Sequence, residues 1–372
     1  MSLFLFDRAG VSTHGFTIWR SVSNAVLMTL FAATLPAAAL YNVQPIINSE
    51  SNFWGLSSGG AAAGYTTSQV GFLYQNGGLT DLGSFQNRPA RVTSVNDAGI
   101  AVGLGVNQSN DTEAIYFNQN TWTSLASALP GAPSMATDIN SSGLIVGISG
   151  RLGFFGNAAL VRAFSYDGTN VTLYSDFSQA LAVNDAGEIA GSRYRPSLGR
   201  DVAVVRFADG TVREIFPTPI RSSAIAISEN GTYVAGNVSE GGQRGFIYNT
   251  TTQSLTELIS PQFSFSEALG VNSAGLVVGR INTNNGFLAI RYSGLDGVQI
   301  LNTLIDPSLN IDLQKALAIN DANQILANGV NTSTGQSSTF LLTPVSDVPE
   351  PATCSLVGLA GLGLVFAIGR RQ

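Results

Sequence analysis

The nine residues Val95-Asn96-Asp97-Ala98-Gly99-Ile100-Ala101-Val102-Gly103 decide how this chain folds, because the same nine-residue pattern returns along its length. Clear copies occupy residues 139–147, 183–191 and 271–279, and looser ones residues 56–64, 227–236 and 319–327. The turn position holds Gly60, Gly99, Gly143, Gly187, Gly231, Gly275 and Asn323, at spacings of 39, 44, 44, 44, 44 and 48 residues. Within the motif, Asn or Ser is suited to bonding nearby backbone, and Gly supplies the positive φ of a tight turn. Asn323 replaces glycine with the other residue that tolerates that conformation well. Apolar runs flank the turn, so it closes a β-hairpin.

Outward from the hairpin, a third strand follows about ten residues later, marked by an aromatic in most copies (Phe72, Tyr116, Phe164, Phe207, Phe246, Tyr292). A polar turn and a short fourth strand come next, closed by Leu82, Leu125, Leu173, Ile215, Leu258 or Leu301. Four short antiparallel strands per unit of about 44 residues are the signature of a propeller blade. The expected fold is therefore all-β, a seven-bladed β-propeller, with a β-solenoid as the runner-up. The seventh unit has a third strand at residues 339–343 but no fourth. The extended stretch Tyr41-Asn42-Val43-Gln44-Pro45-Ile46 is expected to supply it and close the ring, removing free sheet edges.

The strand before the turn is also patterned. Four residues ahead of the Asn/Ser stand Ala136, Ala180, Ala224, Ala268 and Ala316. Two residues ahead stand the small Gly55, Ser94, Ala182, Ala226, Gly270 and Ala318. By strict alternation these positions share one nearly bare face, suited to a crowded approach of strands or sheets.

Composition bounds the chemistry. The 372 residues include one histidine, His14, and one cysteine, Cys354, both near the ends. The body between them can build no Ser-His-Asp or Cys-His pair, no Cys/His zinc site and no internal disulfide. Charged residues make up 11% and hydrophobic ones 44%. With Lys315 the only lysine and a net charge of −6, there is no basic stripe for nucleic acid. No Gly-rich phosphate loop stands in the strand-to-helix context that it requires.

The ends read as addresses. Arg8 and Arg20 precede an apolar stretch over residues 22–35, then Pro36-Ala37-Ala38-Ala39. This is the form of a secretory signal helix over residues 1–39 with cleavage at the Ala37-x-Ala39 pattern, a retained anchor being the alternative. The propeller is assigned residues 40–346, where the chain counted from residue 40 to 348 has net charge −8. Residues 347–372 form a tail: Pro349-Glu350-Pro351, an uncharged apolar run over 352–369, then Arg370-Arg371. That run spans roughly 27 Å as a helix, enough for a bilayer core, with the arginines on the cytoplasmic side.

The Pro-Glu-Pro, apolar helix and arginine pair together resemble the PEP-CTERM sorting signal. The resemblance implies processing by exosortase, a polytopic membrane protease of Gram-negative bacteria that make extracellular polysaccharide. Pro349, Glu350 and Pro351 would be the recognition motif, held extended by the prolines, and Arg370 and Arg371 would hold the helix in place. Over roughly residues 52–343 the repeat resembles the HAF family of extracellular repeats, with Arg162-Ala163-Phe164 nearest to the naming tripeptide, whose histidine is absent. That family transfers no catalytic residues.

Several side chains invite a functional reading. Asp97, Asp185 and Asp321 share one turn position; single carboxylates do not supply the six or more oxygens calcium needs, so capping of the turn is expected. Glu188, Asp201, Glu229 and Glu267 are carboxylates available for glycan hydrolysis. Trp54 and Trp122 offer stacking faces to sugars or packing within their blades. Arg193-Tyr194-Arg195 is expected in a loop, open to an anionic polymer or solvent. The resulting expectation is an exported, non-catalytic surface or matrix protein without cofactor or metal, touching the membrane only through its precursor tail. Exosortase is its processing partner, and exopolysaccharide or envelope proteins its candidate ligands. A secreted carboxylate-dependent glycan-active enzyme is the alternative.

Overall fold

The computed structural model describes residues 40–47, 51–66, 69–129, 133–150, 161–260 and 263–345. The signal segment with Ala37 and Ala39, and the tail with Pro349, Glu350, Pro351, Arg370 and Arg371, lie outside these residues. Among the described residues no helix is long and apolar enough to cross a membrane.

Seven four-stranded antiparallel sheets follow one another along the chain. They are blades 1 to 7, at residues 51–81, 90–124, 134–173, 179–214, 222–257, 265–300 and 311–344. In the first six the order in sequence is the order in the sheet. Blade 7 takes its outermost strand from Tyr41–Ile47, which pairs antiparallel with Ser337–Pro344, Val43 opposite Leu342. The ring is thus closed by a strand from the other end of the repeat domain.

The repeated nonapeptide forms the hairpin between the two innermost strands of each blade. All seven turn residues have positive φ, from 58° at Asn323 to 87° at Gly60 and Gly143. The last glycine of the motif has a different cause. In every blade the innermost strand carries a bulge between the residues four and two ahead of the Asn/Ser, as at Ala136/Asp138 and Ala180/Ala182. Beside the bulge, a Cβ on Gly103, Gly147, Gly191 or Gly279 would overlap a carbonyl oxygen of the neighbouring strand, Gln179's in the case of Gly191. Only a residue with no side chain lets the strands approach so closely.

The bulge also corrects the single bare face expected from alternation. Because an extra residue stands between them, the two small positions are separated. The alanines at 136, 180, 224, 268 and 316 are wholly buried and pack between blades, Ala180 against Val146 and Ala163 of the preceding blade. The second set lines the central channel. There the innermost strands crowd one another: a Cβ on Gly55 would stand 2.6 Å from Ser94 Cα.

The apolar core is a ring of inter-blade clusters. Each of the seven junctions has its own, from Ala63 against Val92 and Val95 between blades 1 and 2 to Leu326 and Leu341 against Ala62 and Tyr74 between blades 7 and 1. The aliphatic residues that end the fourth strands belong to it: Leu82, Leu125, Ile215, Leu258 and Leu301 are all buried.

Candidate functional site

At the turn end of the innermost strands the motif side chains make a circle of hydrogen bonds. Asn140 accepts the Leu144 N–H on Oδ1 at 2.9 Å and donates from Nδ2 to the Asn184 carbonyl of the next blade at 3.0 Å. Asn96, Asn184, Asn272 and Asn320 repeat both contacts. Ser57 and Ser228 take the asparagine's place in blades 1 and 5, and a hydroxyl is too short to reach across. Those two junctions are bridged by the Gly59 N–H to Asp97 Oδ1, 2.7 Å, and by Asn230 to Ser273. All seven junctions therefore carry such a bond.

Asp97, Asp185 and Asp321 stand on this circle. Each accepts a backbone N–H of the preceding blade, from Gly59, Ser141 and Ser273 respectively. They cap the neighbour's turn rather than their own. Among the described residues no group of three His, Cys, Asp or Glu is placed to hold a metal ion.

Inside the circle lies a cavity of about 490 Å³ along the ring axis. In blades 2 to 7 the residue skipped by the bulge faces it: Thr93, Thr137, Leu181, Ile225, Leu269 and Leu317. Bulges re-aim side chains in this way. The channel is two-sided. At the bulges, blades 4 to 7 present Leu181, Ile225, Leu269 and Leu317, whereas blades 2 and 3 present Thr93, Ser94, Thr137 and Asp138; away from the bulges the wall is mixed, with Leu104 and Met135 on blades 2 and 3 and Lys315 on blade 7. The threonine hydroxyls are spent on backbone carbonyls, Thr137 donating to Val146 and, across the junction, Ala180.

Asp138 is the charged group beside the bulges of the channel wall. Its Oδ1 accepts from Ser94 Oγ at 2.6 Å and its Oδ2 from the Val183 N–H at 2.9 Å, so it joins blades 2, 3 and 4. Burial pushes its carboxyl from 3.8 up to about 6, against the lowering effect of those hydrogen bonds. Glu229, at the turn mouth, is pushed from 4.5 up to about 7 by desolvation and then by the charges of Asp185 and Asp138. Asp138 was legible as an anomaly: it is the one charged residue at a position that is Gly, Ser or Ala in the other six repeats.

The four carboxylates singled out as hydrolytic candidates are dispersed. Glu188 accepts from Asn184 Nδ2, Asp201 from Ser178 Oγ, and Glu267 pairs with Arg280 at 2.6 Å. Of the four, Glu229 alone lines the channel. Arg193-Tyr194-Arg195 is not a loop. It ends the second strand of blade 4, Ile189–Arg195, because Arg200–Arg206 continues the pairing alongside it. Arg193 meets Asp176 and Glu214, and Arg195 meets Glu214. Trp122 packs edge-on to Phe117 of its own blade and donates from Nε1 to the Leu82 carbonyl of blade 1 at 2.8 Å. The Trp54 side chain lies outside the described part.

The ring and its channel are one half of the molecule's message; the C-terminus carries the other. Residues 347–372 match the PEP-CTERM protein-sorting motif. The chain is thus a propeller with a signal for export and sorting to the cell surface or the exterior. No curated protein matches it. Solved structures share the fold at low identity. The β-propeller domain of the Trilobed protease from Pyrococcus furiosus is 8% identical, with TM-score 0.52, covering 82% of this chain and 100% of that domain. A chain of the mitotic checkpoint complex is 12% identical, with TM-score 0.50, covering 91% and 100%. An oligogalacturonate lyase from Vibrio parahaemolyticus is 11% identical, with TM-score 0.46, covering 82% and 97%. At such identity the likeness is one of fold alone.

Proposed function

We propose that this protein is an exosortase-sorted, non-catalytic component of the cell surface or extracellular matrix, its propeller a rigid binding or structural platform associated with exopolysaccharide. The observation that carries the reading is the sorting motif at residues 347–372 behind a closed ring of blades. The turn aspartates add support, since Asp97, Asp185 and Asp321 are each engaged as acceptors between blades.

One observation favours the enzymatic alternative. Asp138 and Glu229 line one cavity with raised pKa values, the property a general acid needs. A glycan array paired with a product assay on the secreted protein separates the readings. Binding without turnover supports the platform; turnover abolished by Asp138→Asn or Glu229→Gln overturns it. Sorting is tested independently by Glu350→Ala, or by deletion of Arg370 and Arg371. Either should leave unprocessed precursor in the inner membrane, and normal levels of mature protein outside would refute exosortase processing.

A further inference from the structure

We propose that the central channel is a binding site for an amphiphilic cation, a primary ammonium group carried on an apolar aryl or alkyl stem. This goes beyond the platform reading and is independent of it. The channel's 490 Å³ lies within the range of small-molecule sites, roughly 300–1,000 Å³. Its walls divide by chemistry. Leu181, Ile225, Leu269 and Leu317 make a continuous apolar half over four successive blades, and Asp138 faces them from the polar half. An ammonium group set against Asp138 would lay its stem on the leucine and isoleucine wall.

The polar half selects for a donor with positive charge. The Thr93 and Thr137 hydroxyls already donate to backbone carbonyls, so they offer no hydrogen to an incoming group. Asp138 receives one hydrogen bond on each oxygen. A carboxylate oxygen has a second lone-pair site, so each can still accept. Glu229, Asp97 and Asp321 line the same mouth, with Asp185 next to Glu229, and add negative potential at the entrance. The cationic groups that face the cavity are Arg91 and Lys315; Arg91 stands three residues before Ser94, the hydrogen-bond partner of Asp138, about 10 Å along an extended strand. Arg91 further lies over the Tyr65 ring, and Lys315 neighbours Arg280 and Glu267. A neutral alcohol of the same shape gains at most a hydrogen bond without the ion pair, and an anionic ligand is repelled by the carboxylates. An ammonium ion gains a charge-assisted hydrogen bond in a partly dry site.

Calorimetric titration of the full chain with phenethylamine, phenethyl alcohol and 3-phenylpropionate tests this. The amine should bind at least tenfold more tightly than the alcohol, and the propionate should not bind. Since Asp138 and Glu229 ionise over the range up to about pH 7, amine affinity should fall about tenfold or more between pH 8 and pH 5. Asp138→Asn should weaken the amine about tenfold and leave the alcohol unchanged. Glu229→Gln, which keeps an acceptor for the Asp185 N–H, should weaken the amine severalfold. Leu269→Asn should weaken amine and alcohol alike. Equal binding of amine and alcohol, no amine binding at millimolar concentration, or amine affinity indifferent to both carboxyl variants would each overturn the proposal. None of these results bears on glycan binding or on processing of the tail, which are read by their own assays.

Discussion

Asn140 shows why the motif holds asparagine at a place where several residues would make a turn. Its amide oxygen closes the turn on Leu144 and its amide nitrogen reaches the next blade's carbonyl. Asn140→Ala removes both bonds and strands a buried donor and acceptor, at a cost of about 2–4 kcal/mol. Asn140→Ser should cost about half as much, because Ser228 shows that a hydroxyl still caps the hairpin, accepting the Tyr233 N–H at 3.0 Å. Urea unfolding midpoints rank the three proteins; equal losses in the two variants would remove the capping share. The turn was readable from Asn-x-x-Gly. The donation across the junction was not, because its acceptor lies 44 residues away on a neighbour whose position the local pattern does not reveal. Asp138 makes a second prediction at this scale. Its carboxyl titrates near 3.8 unfolded and about 6 folded, so the native state holds the proton more tightly. Its contribution to stability is present at low pH, falls as pH rises from about 4 to 6, and is flat above. Glu229 extends the decline to about pH 7. Asp138→Asn keeps an acceptor for the Val183 N–H and should lose the decline between pH 4 and 6, as read from thermal melts across that range.

The bulge is the element on which hairpin, channel and core all depend. It turns the skipped residue toward the axis, frees the alanine beside it to pack between blades, and brings a carbonyl against the second strand. The two glycines of the nonapeptide consequently fail in different ways. At Gly187, φ is 78° with open space around it except for Leu144 at 3.8 Å. Gly187→Asn should therefore cost less than about 1 kcal/mol, as Asn323 occupies the equivalent place at φ 58°. At Gly191 φ is ordinary, but a Cβ would overlap the Gln179 carbonyl oxygen and stand 2.8 Å from the Phe177 ring. Gly191→Ala should cost about 1–3 kcal/mol by overpacking. Denaturant midpoints decide between them, and a reversed order would show that the bulge relaxes readily. Repetition made the strands and the seven units legible, down to the missing strand of the last. It concealed the bulge, because an inserted residue shared by every copy leaves the spacing between copies unchanged. The two-sided channel was hidden for the same reason: strict alternation puts the two small positions on one face and gives no sign that the residue between them turns to the axis.

At the scale of the whole molecule, seven similar junctions are closed by one dissimilar device. Tyr41–Ile47 covers what would otherwise be the open edge of Ser337–Pro344. Its anchor is Tyr41, buried in the cluster of blades 6 and 7, with its hydroxyl taking a hydrogen bond from Arg291 Nη1 at 3.1 Å. The Leu40 and Tyr41 N–H groups both reach the Leu304 carbonyl, and Val345 donates back to Leu40. The strand therefore fastens the loop between blades 6 and 7 as well as blade 7 itself. An exposed edge of eight residues rich in Phe, Leu and Thr is a template for pairing with another chain. Deleting residues 41–47 should produce a species that associates through blade 7 more than the parent does and melts well below it. Tyr41→Ala, which keeps the strand but removes its anchor, should lower stability by about 3–5 kcal/mol without that association. Light scattering and thermal melts distinguish the two. If the deletion leaves a monomer with an unchanged transition, the inter-blade circle of asparagine bonds and apolar clusters holds the ring without its closing strand. If Tyr41→Ala associates as the deletion does, covering the edge depends on the anchor rather than on the six paired residues.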